Sequence, residues 1–381
     1  MNARDEMGAE TTRQPAAERD AGRPAAEQGA GRPEVREAET RRAEVRRLYE
    51  RFPYPSPTAE SGLLHDVANA MGFLLADGRL GERRVLDAGC GTGHRLVALA
   101  KGHPEARFVG VDASAASLAV ARALADRHGV RNVEFRQGLV PGLTLPETFD
   151  LVVCTGLVHH LPDPRAGLRW LVERLADDGL LYLWLYHALG EHDRLLDREL
   201  VRLLDDASGT GSGLETVRAL GLTLAEGRYG ANSESAATAE TRHVIDADAY
   251  LHPVVHAWRF GDLPGLLAGL DLDWVSAFSV NYEGGSRFVD LAGLEDDPYL
   301  CVTGAESLPY ELADRLTGLS NPRQLQVLEL RLRPTGFSLA AGRGDSLRQC
   351  APRVAGSRFL DRRTTAPTEP TAAGPRGDRG R

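Results

Sequence analysis

Arg84-Val85-Leu86-Asp87-Ala88-Gly89-Cys90-Gly91-Thr92-Gly93, followed by an apolar-periodic segment from His94 to Lys101, the run Phe108-Val109-Gly110-Val111, and Asp112, is the stretch that decides the fold. It reads as strand, glycine loop, helix, strand, acid, the order and approximate size of one βαβ crossover that binds a nucleoside-like ligand at the carboxyl ends of its strands. Glycines let the loop turn sharply and come close to a ligand. Asp112, closing the second strand, is placed to accept hydrogen bonds from a pair of ribose hydroxyls. Dinucleotide enzymes write this loop as G-x-G-x-x-G, because a pyrophosphate must sit on the helix amino terminus. Here the spacing is G-x-G-x-G behind an acid, and Asp87 would repel a pyrophosphate while suiting an ammonium.

Val85-Leu86-Asp87-Ala88-Gly89-Cys90-Gly91-Thr92-Gly93 resembles the first motif of the class I S-adenosylmethionine-dependent methyltransferases, whose methionine half carries such an ammonium. The resemblance covers about residues 45 to 335 and is strongest from 84 to 164. It implies an α/β, Rossmann-like, doubly wound sheet of seven strands in the order 3-2-1-4-5-7-6, with S-adenosyl-L-methionine as cofactor. A plain glycine-rich turn in an ordinary α/β protein is the bland alternative.

Composition sets the domain bounds. Residues 1–33 and 341–381 are rich in Ala, Arg, Glu, Gly, Pro and Thr with few large apolar side chains, and are expected to be disordered. One domain is left over 34–340, with an N-terminal lid and helix at 34–78 and a helical insertion at 187–260. The net charge of −9 argues against a nucleic-acid partner. Cys90, Cys154, Cys301 and Cys350 show no C-x-x-C spacing, so neither a zinc site nor a disulfide framework is expected. No apolar run approaches the ~18 residues of a membrane span, and no signal-like leader is visible, so a cytoplasmic protein without membrane partners is expected. The oligomeric state stays open.

Along the chain, Glu34 to Arg51 is helical and charged, and Phe52-Pro53-Tyr54-Pro55-Ser56-Pro57 breaks it into an extended path. The segment Leu48 to Pro55 resembles a signature of a bacterial methyltransferase subgroup, which implies a lid with Tyr49 or Tyr54 near the cofactor. An aromatic-proline strap that packs the helix onto the domain is the competing reading. A helix is predicted from Thr58 to Ala76, another from Ser114 as N-cap, and a third from Asp163 as N-cap with Pro164 at its first position. Strands follow at Val133–Arg136, Phe149–Cys154, Leu180–Tyr186 and Leu272–Val280, with a last antiparallel edge strand at Leu325–Leu332. Within the insertion, helices are predicted at 192–206 and 214–225, then a polar loop over 230–242.

Methyl transfer from a sulfonium gains most from alignment and from exclusion of water. Asp87, Gly89, Gly91 and Gly93 are assigned to the methionine end of the cofactor and Asp112 to the ribose, with Cys90 and Ala113 also counted as cofactor-binding. Gln137 and Gly138 take the adenine rim, and Thr155 and Gly156 lie beside the departing methyl. After the fourth strand the chain has Cys-Thr-Gly-Leu where enzymes acting on planar nitrogens often have Asp/Asn-Pro-Pro-Tyr. Its Leu-Val-His-His-Leu-Pro-Asp-Pro tract resembles that of small-molecule methyltransferases. His159, His160 and, most pointedly, His187 at the end of strand five are the candidate general bases, because imidazole titrates near neutrality. A structural role is the alternative for each. Asp248, Tyr250 and His252, in an Asp-x-Tyr-x-His-Pro tract, are candidate substrate-lid residues together with Tyr49 and Tyr54. No metal site is expected there, since the spacing fits no common zinc pattern. The functional expectation is methyl transfer to a small molecule or peptide-derived metabolite on an O, N, S or C acceptor. A protein or RNA methyltransferase, or a non-catalytic S-adenosylmethionine-binding protein, are the rivals.

Overall fold

The computed structural model describes residues 33–56, 66–208, 213–222, 239–282, 285–295, 297, 299–303 and 308–362. The chain begins with α1 (Pro33–Arg51) and α2 (Asp66–Leu74), then enters the alternating unit β1 (Arg84–Ala88), α3 (His94–Gly102), β2 (Arg107–Asp112), α4 (Ala115–Arg127), β3 (Val133–Gln137) and β4 (Phe149–Thr155). A short 3-10 turn at Val158–His160 leads to α5 (Pro164–Val172) and β5 (Leu175–Tyr186). The insertion supplies α6 (His192–Ser208), α7 (Gly213–Ala219) and α8 (Ala239–Leu251). The remainder is α9 (Leu263–Leu266), β6 (Trp274–Tyr282), β7 (Gly285–Val289), β8 (Cys301–Val302), α10 (Tyr310–Thr317), α11 (Asn321–Leu332), β9 (Gly336–Gly342), α12 (Pro352–Gly356) and β10 (Arg358–Asp361).

The strands form one sheet in the order β3-β2-β1-β4-β5-β9-β6-β7-β8, with β10 also paired to β6. From β3 to β5 every pairing is parallel, and β9 lies antiparallel between β5 and β6. The expected order therefore holds for the inner seven, with β9 in the seventh strand's place, while β7, β8 and β10 bring the described sheet to ten strands. Alternation along β1 sends Val85 into one core layer and Leu86 into the other, the mark of a strand covered on both faces. Met71, Leu96, Leu99 and Leu118 from α2, α3 and α4 pack on the first side, and Leu168, Leu263 and Leu325 from α5, α9 and α11 on the second. Local signals set the helix starts as expected: Ser114 caps α4 through the Ser117 N–H, and Asp163 caps α5 through the Ala166 N–H.

Two expectations need correction. Leu325–Leu332 is helical, not an edge strand. Leu328, Leu330 and Leu332 alternate with charges, but Pro322 opens a helix whose i, i+3 face buries Leu325 and Leu328 and leaves Leu330 58% exposed. Nor does a disordered tail begin at 341, because Gly336–Gly342 is a wholly buried inner strand and the chain continues through α12 and β10. Its small residues suit this interior place. A Cβ on Gly336 would come 2.6 Å from the Trp184 ring and one on Gly342 2.9 Å from the Trp274 ring, so indoles from β5 and β6 already fill the space. Residues 1–32 and 363–381, where disorder is also expected, lie outside the described residues. A chain ended at Leu339 should lose cooperative thermal unfolding in calorimetry, whereas a dispensable tail would leave the transition in place.

Candidate cofactor and acceptor site

The carboxyl ends of β1, β2 and β4 converge where the strand order reverses, the place where open α/β sheets bind ligands. Gly89, Gly91 and Gly93 all take positive φ values, 78°, 54° and 76°. At Gly91 the reason is a close approach, since a Cβ there would run into the Tyr54 carbonyl oxygen. That carbonyl accepts the Thr92 N–H at 3.1 Å, and the Thr92 hydroxyl donates to the Pro55 carbonyl at 2.9 Å. The aromatic-proline segment is thus strapped onto the glycine loop. On the loop's other side a Cβ at Gly89 would meet Leu157, which carries the chain from β4 toward His159 and His160.

Asp87 is 5% exposed, and its Oδ1 has no hydrogen-bond partner. Burial pushes its carboxyl up to about 7, against the opposing pull of the Arg95 guanidinium and with a further push from Asp112. Arg95, in the first turn of α3, donates to Thr155 Oγ1 at 3.0 Å, while its buried Nε is unpartnered. An orphan carboxylate oxygen and an orphan guanidinium N–H at one loop make a fitting pair for the ammonium and carboxylate of an α-amino acid. Asp112 accepts from the Gly91 N–H at 2.9 Å and the Ser114 N–H at 2.8 Å, one on each carboxylate oxygen. Each oxygen keeps a further acceptor site, enough for two hydroxyls of a ribose. Gln137 donates to the carbonyl of Ala113 at 3.1 Å, and Gly138 stands next to it at the tip of β3. Space is open beside Gly156. The Cys90 thiol is buried and pushed up by that burial, and its N–H donates to the Val111 carbonyl at 3.0 Å.

A second group of side chains lies over the carboxyl ends of β4 and β5. The insertion returns through residues 252–258 along this edge: the His256 N–H donates to the His159 carbonyl at 2.8 Å and the Trp258 N–H to the Tyr186 carbonyl at 3.1 Å. His160 and His252 stack with centroids 3.7 Å apart, and His159 stacks on Tyr186 at 3.9 Å with Trp184 edge-on. Tyr49 reaches across from α1 and donates to Asp248 Oδ1 at 2.7 Å, with its ring 5.6 Å from that of His252. Burial first, then the Asp248 charge, pushes the Tyr49 hydroxyl well above its ordinary range. Burial likewise lowers His160 to about 4 and holds His159 and His252 well below the usual imidazole range. All three rings are neutral at pH 7.

The structure therefore brings together Tyr49, Asp248, His252, His159 and His160, and sets Tyr54 beside the loop. It does not bring Tyr250 or His187. Tyr250 points into the insertion's own small core with Val201 and Val217, because two residues along a helix rotate a side chain about 200° away from Asp248. His187 is fully buried: its Nδ1 accepts the Leu189 N–H at 3.2 Å and its Nε2 faces Glu329 Oε2 at 3.0 Å, packed near Phe260 and Phe337. Both ring nitrogens are engaged, Nδ1 by the turn that follows β5 and Nε2 by Glu329 of α11, so His187 is corrected from candidate base to anchor. Burial raises the Glu329 carboxyl, yet bonds from His187, the Phe260 N–H and Arg259 outweigh it and leave the group below its ordinary value. Arg95, Tyr186 and Trp184 are additions that the sequence reading does not contain. Arg95 is signalled only by lying two residues beyond the glycine loop, and Tyr186 by ending β5. Among the described residues no group of His, Cys, Asp and Glu could hold a metal ion, and no helix is long and apolar enough to cross a membrane.

A family model described as methyltransferase domain matches residues 81–212. An uncharacterized protein of Synechococcus sp. is 33% identical over 225 residues, covering 55% of this chain and 53% of that protein. The uncharacterized methyltransferase YcgJ of Bacillus subtilis is 35% identical over 143 residues, covering 36% of this chain and 55% of its own length. This chain spans about half the length of these curated relatives. Among solved structures, PKMT2 from Rickettsia typhi in complex with AdoHcy superposes with a TM-score of 0.51 at 16% identity, covering 76% of this chain and 54% of that one. That likeness extends the shared fold well beyond the matched domain.

Two outcomes check the geometry. Because folding raises the pKa of Asp87, its favourable contribution is present below the unfolded value of 3.8 and is lost as pH rises through about 7. Asp87→Asn should accordingly unfold later than the parent above pH 7, by roughly 3 to 5 kcal/mol, in denaturant titrations of the ligand-free protein. His187→Ala should cost about 2 kcal/mol of stability while leaving ligand affinity at the glycine loop unchanged by calorimetry.

Proposed function

We propose that this chain, whose residues 81–212 match a family model described as methyltransferase domain, is a class I S-adenosylmethionine-dependent enzyme that transfers the methyl group to a small molecule or peptide-derived metabolite. The observation that carries the reading is the unpartnered Asp87 oxygen together with the unpartnered Arg95 Nε at the first motif. Together they fit the zwitterionic end of a methionyl group, and Asp112 fits the ribose. Gln137 and Gly138, at the tip of β3, are the groups proposed for the adenine rim. The complex of PKMT2 with AdoHcy supports the same ligand class. The protein's part in the reaction is to hold donor and acceptor in line and to keep water out.

A metabolite acceptor is supported by the cover over the second cluster. Tyr49 from α1 and Asp248 from α8 close over His252 and His160, and the group they surround is buried. An enclosed cluster of this kind suits a small acceptor better than a polymer, and the net charge of −9 gives RNA no general attraction. Incubation with labelled cofactor and cell extract separated into metabolites, protein and RNA should place label in the metabolite fraction. Label in RNA or protein would favour the rival substrates, and no label with intact cofactor binding would favour a binding protein. Asp112→Ala should weaken cofactor binding by about 1.5 to 3 kcal/mol in calorimetry, while unchanged affinity would remove it from the ribose.

A further inference from the structure

His160 and His252 come from elements far apart in sequence, yet both are tethered by Nδ1 to one residue, Val254. The Val254 N–H donates to His252 Nδ1 at 3.2 Å, so that nitrogen carries no proton and the neutral ring holds its proton on Nε2. His160 Nδ1 lies 2.9 Å from the Val254 carbonyl oxygen, which can only accept, so Nδ1 is protonated and Nε2 keeps a free lone pair. The rings stack 3.7 Å apart at an interplanar angle of 25°. Both Nδ1 edges are turned to the same residue, so each ring has its Nε2 on the side away from the atom that tethers it. His252 is 2% exposed, and its Nε2 has no partner; both ring nitrogens of the adjoining His159 are orphaned as well. Buried donors left in that state are uncommon and call for a ligand that satisfies them.

We infer that the stacked His160–His252 pair binds a hydroxyl group, donating to it from His252 Nε2 and accepting its proton at His160 Nε2, so that this protein is an O-methyltransferase. The inference deepens the proposed function and rests on it. A hydroxyl is both donor and acceptor and has a second lone pair on oxygen. One pair accepts from His252, and the other remains for attack. A neutral amine would spend its single lone pair on His252 and have none for the methyl. A thiol makes only weak bonds of either kind, and a carbon acid gives His252 nothing to donate to. The rings of Tyr49, Tyr186 and His159 around the pair favour a hydroxyl carried on a flat, apolar body, a phenol or enol.

The second oxygen lone pair forms the C–O bond to the methyl carbon as the C–S bond breaks, with its electron pair going to sulfur to leave a neutral thioether. The O–H pair stays on oxygen, and the proton passes to His160 Nε2. An oxygen carrying a new methyl and still holding its proton is a far stronger acid than an imidazolium, so a base lowered by burial to about 4 is strong enough for this transfer. His160 is thus the catalytic residue, and Val254 fixes which of its nitrogens is free.

The test uses the full chain with uniform nitrogen-15 labelling, saturated with S-adenosylhomocysteine after calorimetry has shown uptake of that nucleoside. Lack of uptake sinks the underlying reading, whereas the spectra of the saturated protein bear on the hydroxyl alone. Ring-nitrogen correlation spectra should show His252 protonated at Nε2 and His160 at Nδ1, and the opposite tautomer at either ring overturns the inference. Titration with phenol, aniline, thiophenol and toluene should then move both Nε2 resonances with phenol only, with phenol binding about tenfold tighter than toluene. Equal binding of phenol and toluene, or unmoved Nε2 resonances, overturns it. His252→Gln, whose amide nitrogen can take the place of Nε2, should keep the preference for phenol that His252→Phe abolishes. With carbon-13 methyl donor, phenol should yield a methoxy signal that falls about 10²-fold or more in His160→Phe. Transfer to aniline nitrogen or thiophenol sulfur instead would refute the assignment.

Discussion

The whole arrangement depends on there being no side chain at Gly91. Because that position is bare, the Tyr54 carbonyl can settle on the glycine loop and take the Thr92 N–H, which fixes where α1 ends. Tyr49, one turn back, is then delivered over the tip of β2, where its carbonyl accepts from Ser114 and the neighbouring Glu50 carboxylate accepts from the Ala115 N–H. From that place its hydroxyl reaches Asp248 on α8. A single steric permission in the first motif therefore links a helix that precedes the sheet to an insertion that follows its fifth strand.

Electrostatics work against stability at the same loop. A buried carboxylate with one oxygen unpaired, beside Asp112, costs free energy in the ligand-free protein, and the Arg95 guanidinium offsets only part of it. The second cluster shows the same economy, with three orphaned ring nitrogens on His159 and His252 enclosed among rings that cannot satisfy them. Sites that bind a defined polar ligand tend to hold such groups in readiness, so that the ligand relieves a cost that the fold itself leaves standing. His187 and Glu329 make the useful contrast. They too are buried and titratable, yet their bonding is complete, and their place is between sheet and helix.

What the sequence revealed was whatever a short stretch decides for itself. The loop from Asp87 to Gly93, the caps Ser114 and Asp163 and the helical character of the insertion follow from local spacing, while the inner strand order came only with the resemblance that the loop carries. Leu325–Leu332 misleads because its leucines fit both periods, and burial against His187 and Phe260 decides the matter. Gly336–Gly342 misleads because its small residues lack the bulk of an ordinary inner strand, the bulk being supplied by Trp184 and Trp274 from the neighbouring strands. At the site, Asp248 and His252 are legible but Tyr250 falls in with them wrongly, since a motif written as a line does not say which residues share a helical face. Arg95 and the Val254 tether are invisible there because their roles consist in pairings with residues 60 and 94 positions away.

The strap at Tyr54 and Pro55 has a kinetic consequence. The segment that presses on the glycine loop continues back into the helix whose Tyr49 roofs the histidine cluster, so a movement at one is coupled to a movement at the other. In a chain that works as proposed, discharge of the spent nucleoside and escape of the methylated product are tied to one movement. The tempo of that movement then places a ceiling on turnover, however fast the bond exchange beneath it.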